Sequence, residues 1–190
     1  MRGCFVTGTD TGVGKTVVSA AIVTVLRARG ASVRALKPVI TGLDAPPDPV
    51  WPPDHALLAS LTGQSPDEVA PIRFGPAVSP RLAAELTGAP LDPDAIARAV
   101  VDSQDAAQGA HADALVIEGV GGLLVPFADD VYVVRDLARE LAPPVVVVAR
   151  PGLGTINHTL LTLEAARRRG PGRPGRAEPL AGGAGRGRAL

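Results

Sequence analysis

Cysteine is nearly absent from this chain of 190 residues, in which Cys4 is the only one. A single thiol cannot form an internal disulfide framework or a cysteine-rich zinc site. The three histidines are too far apart in sequence to suggest a metal site by spacing. Because Cys4 lies in the apolar run that opens the chain, we expect it to be an ordinary core residue.

Excess charge and long apolar runs are lacking too. The formal net charge is +0, with 19 basic and 19 acidic residues, which gives no general attraction to nucleic acid or an anionic membrane. No uncharged apolar run reaches the roughly 20 residues that a membrane span needs. The chain starts directly with a strand pattern, without a long apolar segment and cleavage site. We therefore expect a soluble, cytoplasmic protein that binds neither nucleic acid nor membrane.

Strand and helix patterns alternate along most of the chain. Short apolar runs at 4–7, 33–36, 114–117 and 145–149 predict strands, and several suit a parallel sheet covered on both faces. Helical spacing predicts helices at 15–29, 54–61, 93–107, where Asp92 is the N-cap, and 155–168. This alternation predicts one α/β domain over residues 1–166, with a mainly parallel sheet and helices on both faces.

The last residues, 167–190, have a different composition, mostly Arg, Gly, Pro and Ala without apolar periodicity. Such a tail buries too little apolar surface to offset its ordering entropy, so we predict that it is disordered or frameshifted. A shifted reading frame would explain the abrupt change after a helix that otherwise leads into another strand. The C-terminal strands of the domain would then be missing. Its arginines could instead form a nucleic-acid-binding arm, although interleaved aromatic residues are lacking.

A glycine-rich loop lies between the first predicted strand and the first predicted helix. It reads GTDTGVGKT over residues 8–16, and its first glycine is one place earlier than in the common G-x-x-x-x-G-K-[ST] pattern. Glycines let successive backbone N–H groups converge on phosphate oxygens, and the helix start adds partial positive charge. Lys15 would reach the terminal phosphates, and the Thr16 hydroxyl would bind Mg²⁺. The loop predicts a P-loop NTPase-like fold that binds ATP through Gly12, Val13, Gly14, Lys15, Thr16 and Val17.

Two acidic residues are candidate partners of Thr16 in binding Mg²⁺. Glu118 directly follows the strand predicted at 114–117, where ligands of open α/β sheets bind. Asp54 is the second candidate, and it could also be the N-cap of the helix that follows. After Glu118, the backbone of Gly119, Val120 and Gly121 could approach the nucleotide phosphates, so these residues join Asp54 and Glu118 in the predicted ATP site. We expect Thr16 and Glu118 to lie at a surface cleft.

Several segments together resemble dethiobiotin synthetase in order and spacing. They are FVTGTDTGVGKT at 5–16, KPV at 37–39, EGVGG at 118–122 and GTINH at 154–158, and Ser79-Pro80 before a helix matches too. The resemblance covers residues 1–166. It implies that ATP drives the joining of CO₂ to 7,8-diaminononanoate, through a carbamate and a carbamic-phosphoric anhydride, to give dethiobiotin, ADP and phosphate. The family continues with strands and loops that hold adenine, where this chain has its Arg/Gly tail.

The resemblance also implies roles for individual residues. Lys37 and Lys15 would be catalytic and flank the carbamate and the transferring phosphoryl group. Thr11 and Thr41 would hydrogen-bond the diamine or its carbamate. The substrate carboxylate would meet the start of the last helix, at Gly154, Thr155, Ile156 and Asn157. In the family that segment comes from the partner subunit, so a homodimer is implied.

Two other interpretations stay open at this point. The phosphate loop also resembles that of chromosome-partitioning and division-site ATPases, which act as switches on DNA or membrane. Those proteins carry an additional lysine early in the loop, where this chain has Asp10. The chain could also be an inactive, truncated relative of the ligase.

Overall fold

The computed structural model describes residues 2–46, 48–128, 131–141 and 143–168. Along these residues the elements run β1 (Arg2–Gly8), α1 (Lys15–Ala28), β2 (Val33–Leu36), β3 (Val39–Ile40), α2 (Asp54–Thr62), α3 (Pro66–Val69), β4 (Ile72–Arg73), α4 (Pro80–Thr87), α5 (Pro93–Gly109), β5 (Ala114–Gly122), α6 (Val134–Leu141), β6 (Val145–Val148) and α7 (Thr155–Arg167). None of the described helices has the length and apolar character that a membrane span requires.

A four-stranded parallel sheet in the order β2-β5-β1-β6 forms the centre of the fold. The strands β3 and β4 form a separate parallel pair. Because all four central strands are parallel, their carboxyl ends lie along one edge, where the loops after β1, β2 and β6 also begin. That edge is where the predicted phosphate loop and the predicted site residues meet.

Helices cover both faces of the central sheet. On one face, Phe5, Leu115 and Ile117 pack with buried residues of α4, α5 and α6. On the other face, Val6 and Val116 pack with Val23 of α1 and its neighbours. Side chains that alternate along each strand thus enter two different cores, as a strand buried on both faces requires. The predicted α/β fold is confirmed.

The predicted long elements match the structure closely, and the short ones were missed. The N-cap at Asp92 is confirmed, because its carboxylate accepts a hydrogen bond from the backbone N–H of Ala95. Four elements were not predicted: β3, β4, α3 and α6. Three of them have only two to four residues, too few to show a period in the sequence. Cys4, expected in the core, is only half-buried.

The predicted tail lies almost wholly outside the described residues. Its first residue, Arg167, ends α7, and the described chain stops one residue later, at Arg168. The predictions of disorder or of a shifted frame over 167–190 therefore stay predictions, as does the domain boundary at 166. Among the described residues, no strand follows β6.

Candidate active site

The phosphate loop joins β1 to α1 at the carboxyl edge of the sheet, and glycines set its shape. Gly12 and Gly14 have φ angles of 69° and 96°. This is a left-handed backbone conformation that glycine adopts without strain and that residues with a side chain rarely adopt. Gly14 is also the N-cap of α1. A Cβ atom at Gly8 would lie 2.7 Å from the Val13 side chain and 2.9 Å from the Asp10 carbonyl oxygen. The loop therefore folds back onto Gly8, which explains why a glycine stands at this early position.

Lys15 and Thr16 begin α1, and both are buried. The Lys15 ammonium donates a hydrogen bond to the Asp10 carbonyl oxygen at 3.1 Å, so its side chain turns back over the loop. Burial lowers the pKa of Lys15, and the positive charge of nearby Lys37 lowers it further. Nearby acids offset only part of these effects, so a polyphosphate would supply further negative charge to the buried Lys15 ammonium.

Four side chains from four different segments meet beside this loop, and we call them the carboxylate cluster: Thr16, Lys37, Asp54 and Glu118. The Thr16 hydroxyl donates to Glu118 Oε1 at 2.8 Å. The Lys37 ammonium donates to the same oxygen at 2.6 Å and to Asp54 Oδ2 at 2.8 Å. The sheet topology explains this convergence, because Lys37 follows β2, Glu118 lies in the neighbouring strand β5, and Thr16 starts the helix after β1.

The carboxylate cluster combines deep burial with opposite charges. The side chains of Lys37 and Glu118 are 4% and 1% exposed, whereas that of Asp54 is 38% exposed. Burial opposes the charge on Lys37, but attraction to Glu118 and Asp54 outweighs it and raises the pKa of Lys37. Burial also disfavours the Asp54 carboxylate, yet Lys37 holds the pKa of Asp54 below its ordinary value. The ion pairs therefore keep the buried charges in place.

The structure corrects three expectations about these acids. Glu118 does not follow its strand, since β5 continues through it to Gly122, and Glu118 is aligned with Val6 of β1. Asp54 is not a helix N-cap: Pro53 holds that position, and the Asp54 carboxylate accepts from Lys37 instead. The expected surface cleft is also wrong for Thr16 and Glu118, which are 7% and 1% exposed.

The glycines after Glu118 have close neighbours within the protein. A Cβ atom at Gly119 would lie 3.0 Å from the Val134 side chain and 3.1 Å from the Phe5 ring. At Gly121, which has a φ of 58°, it would lie 2.8 Å from Val125 and 3.5 Å from the Thr11 hydroxyl. Packing alone therefore accounts for these glycines. Because Gly121 neighbours Thr11, the predicted segment 119–121 nevertheless borders the phosphate loop.

The oxygen atoms of the carboxylate cluster suit Mg²⁺. The ion prefers hard oxygen ligands and takes few of them from protein, keeping the rest for water and phosphate. Thr16 offers a hydroxyl, and Glu118 and Asp54 offer carboxylates. Glu118 Oε2 is buried and has no hydrogen-bond partner, so one strong acceptor stays unsatisfied. No group of three or more His, Cys, Asp or Glu side chains is arranged for a metal anywhere in the described chain.

The start of α7 lies on another side of the phosphate loop. A small cavity of about 90 Å³ separates them, lined by Thr9, Asp10, Val13, Arg150, Gly152, Leu153, Thr155 and His158. Gly154, with a φ of 92°, caps α7 at this place. Ile156 and Leu153 are exposed. Within one chain, the predicted carboxylate-binding segment thus faces the outer part of the loop.

Sequence reasoning missed two residues, one beside the phosphate loop and one that supports β2. Arg150 lies just beyond β6, and its Nη2 atom would be 3.9 Å from a Cβ atom at Gly12. Its place after an apolar run at the sheet edge was the available signal. Gln64 is buried and bonds both the backbone N–H and the carbonyl of Ala35 in β2, at 2.7 and 3.1 Å. Nothing in the sequence near Gln64 indicates this support of the strand that leads to Lys37.

Comparison with known proteins adds independent information. A sequence-family model described as an AAA domain matches residues 2–173. The ATP-dependent dethiobiotin synthetase BioD of Anaeromyxobacter sp. (strain Fw109-5) is 45% identical over 171 residues, which are 90% of this chain and 73% of that protein. Proteins of the same name from Thermodesulfovibrio yellowstonii and Bacillus licheniformis are 40% and 38% identical, and the matches cover 70% and 69% of their lengths.

Proposed function

This chain belongs to the dethiobiotin synthetase family, and on that basis we propose that it joins CO₂ to 7,8-diaminononanoate with ATP, giving dethiobiotin, ADP and phosphate. The carboxylate cluster beside the phosphate loop is the observation that carries this proposal. It places a buried lysine, Lys37, within hydrogen-bond distance of two acids, beside the helix start that carries Lys15 and Thr16. A generic nucleotide site needs the loop lysine, whereas a second buried ammonium suits a second anion, the substrate carbamate.

Charge stabilisation and positioning explain how these residues would promote the reaction. One amine of the diamine takes up CO₂ as a carbamate, and the γ-phosphoryl group activates it as a carbamic-phosphoric anhydride. The second amine then attacks the carbamoyl carbon, closes the urea ring and releases phosphate. Negative charge concentrates on the carbamate and on the transferring phosphoryl group, where Lys15 and Lys37 would stabilise it. Both lysines are buried, so their charges act on the reacting groups with little screening by water.

The remaining predicted residues would hold the two substrates. Bound Mg²⁺ neutralises phosphate charge, and Thr16, Asp54 and Glu118 would be its protein ligands. The segments 12–17 and 119–121 would contact ATP, with backbone N–H groups of the loop facing the phosphates. Thr41, half-buried just after β3, and Thr11 would hydrogen-bond the diamine or its carbamate.

We propose a homodimer in which Gly154, Thr155, Ile156 and Asn157 serve the partner's site. The cavity between α7 and its own phosphate loop is small and lies beside Thr9, Asp10 and Val13. A second subunit would present the start of its α7, with its N–H groups, to the substrate carboxylate. The exposed apolar side chains of α7 and the turn before it support such an interface; they are Leu153, Ile156, Leu160 and Leu161.

A direct assay tests the proposed reaction. Purified protein is incubated with Mg-ATP, bicarbonate and 7,8-diaminononanoate, and dethiobiotin and phosphate are measured together. We expect equal amounts of both, and no steady phosphate release when the diamine is omitted. Diamine-independent hydrolysis that DNA or lipid stimulates would instead support the partitioning-type switch. The dethiobiotin synthetase relatives, 37% to 46% identical, favour the ligase.

A further inference from the structure

The two carboxylates that would bind the metal are bound here by Lys37. Its ammonium lies 2.6 Å from Glu118 Oε1 and 2.8 Å from Asp54 Oδ2. The Thr16 hydroxyl also donates to Glu118 Oε1, so all three candidate metal ligands are tied to one another through Lys37 and Glu118. A single buried ammonium therefore pairs with both acids of the site and offsets part of their negative charge.

The Lys37 ammonium and a divalent cation cannot both occupy Glu118 Oε1 and Asp54 Oδ2. Mg²⁺ binds its oxygen ligands at about 2.0–2.1 Å and demands near-octahedral geometry. With the Lys37 nitrogen within hydrogen-bond distance of both carboxylates, a metal bound between them would lie against a like charge in a buried site. A metal that takes these two oxygens therefore has to displace the Lys37 ammonium from them.

We propose that Lys37 is an exchangeable counterion of the metal site, which incoming Mg-ATP displaces towards the reacting anions. This inference rests on the proposed function, because it takes Lys37 as the lysine that meets the carbamate. The exchange makes metal binding and the catalytic placement of Lys37 a single event. Before Mg-ATP binds, the ammonium pairs with the two acids and offsets part of their charge. Afterwards, the metal satisfies the acids and the ammonium pairs with substrate charge.

The lysine content of the chain fits such an exchange. The sequence contains only two lysines, Lys15 and Lys37, against 17 arginines. Both lysines belong to this site, whereas the described surface uses arginine for its ion pairs. Lysine carries a compact point charge on a flexible stem, but the planar arginine fork fixes paired acceptors in place. A compact, movable charge is the kind that can alternate with a metal ion.

Binding of Mn²⁺ to the nucleotide-free protein tests the competition without measuring activity. If Lys37 occupies the carboxylates more than about nine-tenths of the time, the apparent Mn²⁺ affinity is reduced at least about tenfold. We therefore expect Lys37→Met to bind Mn²⁺ about tenfold or more tightly than the wild type. Arg73→Met, which removes one charge from an exposed ion pair with Asp67, is the matched control and should leave Mn²⁺ affinity unchanged. Equal affinities of wild type and Lys37→Met would overturn the exchange.

A second measurement uses the wild-type protein, so it stands even if Lys37→Met does not fold. Two lysines give two side-chain ammonium signals in a ¹⁵N-lysine NMR sample. The Lys37 signal should be protected from hydrogen exchange in the free protein and with a non-hydrolysable ATP analogue plus EDTA. Adding Mg²⁺ to the analogue complex should shift that signal and reduce its protection. A Lys37 signal that stays unchanged at saturating Mg²⁺ and analogue would overturn the proposal.

The outcomes separate this inference from the proposed function. If the exchange is observed but no dethiobiotin forms, the site binds Mg-nucleotide as inferred and the assigned reaction is wrong. If dethiobiotin forms while wild type and Lys37→Met bind Mn²⁺ with equal affinity, the proposed reaction stands and the exchange is wrong.

Discussion

The carboxylate cluster and the start of α7 differ in how completely one chain builds them. In the carboxylate cluster, Lys37 and Glu118 are buried and paired, and the elements around them are joined by strand register. At the start of α7, apolar side chains such as Ile156 and Leu160 are exposed and Gly154 caps a helix beside a small cavity. One chain thus builds the proposed phosphate and metal half of the site by itself, whereas the proposed substrate-carboxylate half would be completed by a partner.

The largest effect is expected from Lys37→Gln, which tests whether the carboxylate cluster is catalytic and not merely structural. Losing a charge contact made in the transition state should lower turnover about a hundredfold or more. Binding of ATP in the absence of a metal should stay nearly intact, because Lys15 and the loop backbone remain. Steady-state kinetics and nucleotide titration measure the two effects separately, with Arg73→Gln as a surface control. Wild-type turnover in Lys37→Gln would remove Lys37 from the catalytic assignment.

Replacing the proposed metal ligands should produce the next largest effects. Thr16→Val and Glu118→Gln should each raise the Mg²⁺ concentration for half-maximal activity by about tenfold or more, because each removes an oxygen ligand. The buried position of Glu118 adds a cost to folding. Since Glu118→Gln leaves Lys37 with one acid, we also expect about 3 kcal/mol of lost stability. Denaturant unfolding distinguishes that loss from the metal effect, and unchanged magnesium dependence in both variants would exclude the two ligands.

Sequence patterns located the residues of the carboxylate cluster better than the residues that support them. Long runs such as 114–117 and a glycine loop before a helix have local signatures, so the sheet and the phosphate loop could be located. Parallel strands then bring Lys37, Glu118 and Thr16 to one edge. The burial of Glu118 and the contact of Gln64 with β2 depend on residues far apart in the chain, as do the packing roles of Gly119 and Gly121. Local patterns do not carry that information.

Introducing a charged side chain on the exposed face of α7 should have an intermediate effect on self-association, which tests the proposed dimer. Burying a leucine contributes about 1.5–3 kcal/mol, so Leu160→Glu should weaken self-association by about tenfold or more. Activity should fall most at low protein concentration, where the dimer dissociates. Sedimentation at several concentrations measures the association. Leu86→Glu, at an exposed leucine of α4, is the matched control and should change neither quantity.

The smallest effect is expected at α3, which supports the cluster from outside. Ser65 and Glu68 form a capping box, in which each side chain accepts a hydrogen bond from the other's backbone N–H. At the end of the same short helix, the Val69 carbonyl oxygen accepts a hydrogen bond from the Lys37 backbone N–H at 2.7 Å. Ser65→Ala should therefore lower the free energy of unfolding by about 1 kcal/mol.

Turnover and magnesium dependence of Ser65→Ala should stay at wild-type values. The reason is that the Lys37 ammonium is positioned by the charges it pairs with, the two carboxylates before Mg-ATP binds and the substrate afterwards, and not by the backbone bond from α3. Ser60→Ala, on the exposed side of α2, is the control for a serine whose hydroxyl bonds only its own helix. Denaturant unfolding and steady-state kinetics on both variants provide the comparison. A marked loss of turnover in Ser65→Ala would mean that the position of Lys37 depends on α3. The ion pairs of the carboxylate cluster would then not be enough to position Lys37.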